Sequence, residues 1–198
     1  MLQGRIKSPA ASEEFYKHDI KMKGMYEFCF YKDHTRLIMK NTTLCYIENA
    51  GRYLMLYRNK KEADENAGKW IGIGGHFEEG ESPDECMLRE VREESGLVIT
   101  DYRFRAVITF VSDEYETEYM FLYTAKADSE EITECDEGEL RWIDKESIME
   151  LNLWEGDRIF LKELLDEGRT EERFFTLKLE YSKGRLIDSS IRYIYTLY

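Results

Sequence analysis

Hydrophobic and polar positions alternate with a period of two along residues 42–49 and again along 51–58, with Asn49-Ala50-Gly51 between the two runs. That period places every second side chain on one face of a strand, and a glycine-containing break between two such runs predicts a β-hairpin. Residues 59–69 (NKKEADENAGK) read as a charged loop, and 70–74 as a short strand. After Pro83 the pattern changes. Cys86, Met87, Leu88 and Val91 supply one apolar side of a helix, Ser82 is its N-cap, Glu85 completes a capping box and Gly96 stops it. Residues 101–111 and 117–127 alternate again around the acidic SDEYET stretch and predict a second antiparallel pair. GELRWID reads as a strand, and DRIFLKELLDEG as an amphipathic closing helix. FFTLKLEY and LIDSSIRYIY face each other across Ser182-Lys183-Gly184-Arg185 as a last hairpin.

Strands interleaved with a few helices predict an α/β or α+β domain. Residues 1–38 mix charge and aromatics without a period and are expected to be a peripheral N-terminal extension; residues 39–198 then form the domain, with the C-terminal hairpin from about 170.

Composition narrows the class. Of 198 residues, 42% are hydrophobic and 14% aromatic, enough for a packed core. No apolar run has the length of a membrane span, so no membrane partner is expected. Cys29, Cys45, Cys86 and Cys135 are scattered without a C-x-x-C pair, which points to reduced thiols in a cytoplasmic protein. The net charge of −13 argues against a nucleic-acid duplex as partner, because phosphate backbones need a basic surface. A small polyanion remains open, since a divalent cation reverses the local charge.

The densest chemistry lies between Gly75 and Leu97, GHFEEGESPDECMLREVREESGL. Glu90, Glu93 and Glu94 fall at spacings of three and four, which a helix turns into neighbours on one face. Like charges packed so closely repel, and an oxygen-only cluster of this kind suits hard cations such as Mg²⁺ or Mn²⁺. Upstream, Gly72, Gly74 and Gly75 let the backbone turn sharply or approach a ligand.

This segment resembles the Nudix box: Gly75, Glu81, Arg89-Glu90-Val91, Glu93-Glu94 and Gly96-Leu97 stand at every defining position. The resemblance implies an α/β/α sandwich around a mixed sheet, with the box as a loop–helix–loop. It implies a hydrolase that cleaves a nucleoside diphosphate linked to another moiety with Mg²⁺ as cofactor, Mn²⁺ being the alternative. Glu90, Glu93 and Glu94 would be metal ligands, with the Gly74 carbonyl a further one and Glu90 also the group that orients or deprotonates water. Arg89 would sit among the carboxylates with Glu81 as its partner; the plainer alternative is an ordinary surface salt bridge. Glu81 and Gly96 would be structural. Glu137, five residues before Trp142, matches the place of a distal metal ligand or alternative base, with Glu134, Asp136 and Glu139 offering the same chemistry nearby.

NLWEGDRIFLKELL resembles the Trp-x-x-Asp region of the mammalian-type 8-oxo-dGTP diphosphatases. Carried over, Trp154 would stack on a purine and Asp157 would read its hydrogen-bonding edge. The alternative is that Trp154 anchors the closing helix and Asp157 caps it. Gly156 stands where those relatives carry a second acid, and Ile71 where they carry a base-reading asparagine. His76 replaces the lysine that often follows the box's opening glycine and touches phosphate, and Arg58 takes a pocket position held by lysine in those relatives. Both are substrate-binding candidates beside Gly75; the alternatives are a loop histidine without a role and a surface arginine.

The expectation is a MutT-like hydrolase releasing pyrophosphate from a nucleoside triphosphate such as 8-oxo-dGTP. The alternatives are a pyrophosphatase for ADP-ribose or another nucleotide conjugate, and a nucleotide-sensing module without catalysis. The partner is a small-molecule nucleotide, and the assembly a monomer or, through the Tyr-rich tail, a homodimer.

Overall fold

The computed structural model describes residues 39–60, 65–166 and 173–194. The expected extension over 1–38 lies outside them, as do the last residues of the Tyr-rich tail.

The element order is β1 (Lys40–Asn49), β2 (Arg52–Arg58), β3 (Trp70–Ile71), α1 (Pro83–Ser95), β4 (Asp101–Ser112), β5 (Glu118–Lys126), β6 (Gly138–Asp144), a 3-10 helix (Lys145–Glu150), α2 (Asp157–Leu165), β7 (Phe174–Ser182) and β8 (Arg185–Ile194). The described strands form one mixed sheet in the order β3-β2-β1-β5-β4-β7-β8, with β6 along the other side of β2. β1 runs parallel to β5, and β4 parallel to β7, while the remaining pairings are antiparallel.

Alternation along β1 explains the layering. Leu44 and Tyr46 point to one face, where Phe160, Leu161 and Leu164 of α2 cover them. Cys45 and Ile47 point to the other, against Met87 and Val91 of α1. β2 repeats the division, with Tyr53 and Met55 on the α2 side and Leu54 and Leu56 on the α1 side. A helix therefore lies on each face, the sandwich the resemblance implies. Each fully buried large side chain contributes about 1.5–3 kcal/mol, which makes these two clusters the main source of stability.

The helix signals act as expected. The Ser82 side chain accepts from the Glu85 amide and the Glu85 side chain from the Ser82 amide, Pro83 opens α1, and Gly96 closes it at φ 76° with its N–H on the Arg92 carbonyl. The turns at Ala50-Gly51 and Lys183-Gly184 hold both central residues at positive φ, the geometry that matches the twist of a two-residue hairpin.

The first hairpin departs from the expected pattern. β1 and β2 pair only from Ile47↔Leu54 to the turn, and then diverge. The segment 70–76 is wedged into the gap: Trp70 and Ile71 pair with Tyr57 and Leu56 of β2, whereas Ile73 and His76 bridge to Cys45 and Thr42 of β1. The strand expected over 70–74 is thus a crossing segment that serves two strands in turn. Glycine makes the crossing feasible, since a Cβ on Gly74 would lie 2.0 Å from the Thr43 carbonyl oxygen.

Candidate active site

The wedged segment delivers Gly74, Gly75 and His76 to the face of α1 that carries the acids. The Gly74 N–H donates to Glu94 Oε2 at 3.2 Å. A Cβ on Gly75 would come within 2.5–2.7 Å of the Glu90 carboxylate, so the absent side chain is the space that carboxylate fills. Glu90 and Glu94 are one helical turn apart, and each meets one of two consecutive glycines. Glu94 is only 7% exposed, whereas the Glu93 side chain, on the flank, is 62% exposed.

Arg89 holds the charges together. Its Nε and Nη2 donate to the two Glu81 oxygens at 2.6 and 2.9 Å, Nη1 to Glu90 at 2.8 Å and Glu93 at 3.1 Å, and Nη2 also to the His76 carbonyl at 3.0 Å. This fork holds the Glu81 carboxyl down to about 2, helped by the Glu78 amide, and pushes the arginine further up. Both side chains of the Arg89–Glu81 pair are largely covered, unlike those of an exposed surface bridge.

Among the described residues no three His, Cys, Asp or Glu side chains converge as a ready-made metal cage. The donor set nevertheless fits a hard divalent cation. It consists of carboxylate oxygens on one helix, the Glu90 carboxylate fills the space that a side chain at Gly75 would take, and a single guanidinium, not a closed set of mutual ligands, spaces two of the acids.

A cleft of about 490 Å³ runs from this point. Gly74, Gly75, His76 and Glu90 line one end, and Trp154, Asp157 and Tyr181 the other, with Leu44, Ile71, Phe110 and Met120 as apolar walls. Arg58 and Glu137 also line it and form an ion pair with each other. The expected distal acid is thus paired with the expected pocket cation.

At the far end, the Trp154 indole donates to Asn66 Oδ1 at 2.8 Å, meets the Tyr181 ring edge-on at 5.9 Å, and has the Lys69 ammonium 5.0 Å from its centre. It anchors the approach to α2 and faces the cleft at the same time. Asp157 does not cap α2: Gly156 is the N-cap, no side chain bonds there, and Asp157 is the first helical residue. Its side chain is 7% exposed and accepts no hydrogen bond among the described residues. Burial pushes this carboxyl up to about 7, opposed by Lys69 and reinforced by Glu118. The Tyr181 hydroxyl accepts the Gly156 amide at 2.7 Å, and burial raises it to about 12.

The NUDIX domain model matches residues 39–164, most of the chain. The chain belongs to the Nudix family. Nudix hydrolases act on phosphoanhydride bonds of small nucleotide substrates, and they generally use divalent metal ions. The chain is similar to the Nudix hydrolase YvcI of Bacillus subtilis (strain 168), 31% identical over 125 residues that cover 60% of this chain and 75% of that one. It is similar to the oxidized purine nucleoside triphosphate hydrolase of Danio rerio, 31% identical over 134 residues, covering 66% and 82%. The fold resembles that of the MutT protein from Bacillus halodurans, with TM-score 0.67 and 23% identity over 77% of this chain and 97% of that one. Among the described residues no helix is long and apolar enough to cross a membrane.

Several Nudix cleft residues carry no motif. Thr42 and Glu118 come together because β1 and β5 run parallel, and Asn66 meets Trp154 across 88 positions of chain. For Thr42 and Glu118 the sequence signal is a polar residue near the edge of an apolar strand, and Asn66 stands in a charged turn that gives none.

Proposed function

We propose that this chain is a magnesium-dependent, cytoplasmic, MutT-type hydrolase that converts a nucleoside triphosphate to the monophosphate and pyrophosphate, with an oxidised purine such as 8-oxo-dGTP as the favoured base. One observation carries the reading: a single cleft joins the acid-bearing box to an aromatic and acidic end with room for a nucleotide. The relative from Danio rerio is named for oxidized purine nucleoside triphosphates and supports the same assignment.

In this reading Glu90, Glu93 and Glu94, with the Gly74 carbonyl, hold the cation, and Arg89 and Glu81 keep their carboxylates in place. A divalent ion held there neutralises the phosphate chain and acidifies water beside it. Glu90 takes a proton from the attacking water, and the water oxygen bonds to the phosphorus on one side of the α–β bridge. The bond from that phosphorus to the bridging oxygen breaks, and the bridging oxygen leaves with the phosphate on the other side, giving monophosphate and pyrophosphate. Arg58 and His76 contact the departing phosphates, and Glu137 assists from the opposite wall. Trp154 stacks on the base and Asp157 reads its edge, where a carboxyl near neutrality offers both a donor and an acceptor.

Product analysis tests this directly. With magnesium and a panel of triphosphates, nucleotide sugars and ADP-ribose, pyrophosphate release with its highest kcat/KM on the oxidised purine is expected. Two monophosphates from a conjugate would move the activity to the conjugate class. Tight binding without products from any substrate would make the chain a sensor.

A further inference from the structure

The cleft holds a second carboxylate that no motif marks. Glu118, the first residue of β5, lines the cleft, and Thr42 Oγ1 donates to its Oε1. Thr42 is itself buried and sits in register between strand neighbours, opposite Met120 on β5 and bridged to His76 on the other side. A hydroxyl fixed in that way aims the carboxylate and leaves its second oxygen to the cleft. Asp157 lines the same volume, more than nine-tenths buried and with no hydrogen bond among the described residues. Glu118 is near enough that its charge opposes ionisation of Asp157.

A buried acid such as Asp157 beside a second carboxylate is costly unless something bound in the cleft answers them. Ile71 and Met120, which also line the cleft, have no hydrogen-bonding capacity to share the task, and the Lys69 charge offsets the burial of Asp157 only in part. We propose that Glu118 is a specificity-determining residue: its carboxylate, aimed by Thr42, joins Asp157 as an acceptor pair for a nucleobase edge with two N–H donors side by side. A guanine-type edge has this character, with a ring N–H next to an exocyclic amino group. A thymine or uracil edge sets its N–H between two carbonyls, whose lone pairs would face the acids. The inference rests on the triphosphate reading for its place in the reaction, but the recognition itself is a binding property.

The test therefore separates binding from turnover. Calorimetry with magnesium measures Kd for dGMP and dTMP, and steady-state pyrophosphate release measures kcat/KM for dGTP and dTTP, in the native chain, Glu118→Gln and Thr42→Val. The native chain is expected to prefer the guanine nucleotides. In Glu118→Gln that preference falls about tenfold to a hundredfold, the worth of a charge-assisted hydrogen bond. The thymine nucleotides change little, which a general structural defect would not spare. Thr42→Val shifts the ratio the same way by less, and carries the test if Glu118→Gln lowers the melting temperature. An unchanged guanine-to-thymine ratio in a folded Glu118→Gln protein, or no preference in the native chain, overturns the inference. If no triphosphate is hydrolysed yet the Kd ratio collapses in Glu118→Gln, the triphosphate reading fails and the role of Glu118 stands.

Discussion

The Gly74 amide donates to the Glu94 carboxylate, and through that bond a backbone segment held between two strands is fastened to the helix bearing the acids. The contact is short in space and long in consequence, because it fixes the height of α1 over the sheet at the place where Glu90 meets Gly75.

The two glycines should therefore fail differently. In Gly75→Ala the new methyl meets the end of a movable side chain, so the protein stays folded while the Glu90 carboxylate is displaced. A loss of about a hundredfold in kcat/KM with a melting temperature within a few degrees of the native value is expected. Gly74→Ala drives a methyl into the Thr43 carbonyl, which cannot move aside, and should destabilise the fold by about 3 kcal/mol or more, read by urea unfolding.

Replacing the acids one at a time tests the cation site. Glu90→Gln, Glu93→Gln and Glu94→Gln should each lower kcat by about a hundredfold or more, and chelation should abolish turnover until magnesium is restored. Circular dichroism should show all three folded. Full magnesium-dependent activity in Glu93→Gln and Glu94→Gln together would remove the assignment.

Arg89 binds three acids and a carbonyl, so its loss leaves several like charges facing one another. Arg89→Ala should cost about 2 kcal/mol at low ionic strength and recover in part at high salt. Arg89→Lys should rescue little, since an ammonium cannot reproduce the two-pronged contact with Glu81. Unfolding curves in low and high salt decide it.

Asp157 gives a pH signature. Its folded-state value of about 7 lies above the ordinary 3.8, so the native state binds the proton more tightly than the unfolded chain. The stabilisation is complete below pH 3.8 and is lost as pH rises through about 7. Asparagine at this position has no proton to lose. The stability of Asp157→Asn relative to the native chain should rise by about 1 kcal/mol per pH unit across that window and level off above it. Parallel pH profiles of the two would expose the trend's absence.

Much of the fold is legible in short stretches of residues. The capping box, the Gly96 stop and both two-residue turns depend on neighbours within a few positions, and each forms where its residues stand. The family's box places the acids on one helix. What escapes is register over long separations. Nothing local shows that β1 runs beside β5, so Thr42 and Glu118 cannot be paired from their positions alone. Nothing local shows that 70–76 splits β1 from β2, or that Arg58 holds Glu137. Asp157 has the chemistry of a helix cap, yet Gly156 takes that place because the chain enters α2 one residue earlier, against Tyr181.

The two faces of the sheet carry a consequence for how such a protein changes over time. Met87 and Val91 seat the helix of acids in one cluster, while Phe160, Leu179 and Tyr181 seat the far end of the cleft in the other, with the sheet between them. Replacements that reshape the far end are absorbed by packing the acids never touch. A lineage can thus drift from one nucleotide to another while its cutting machinery stays put.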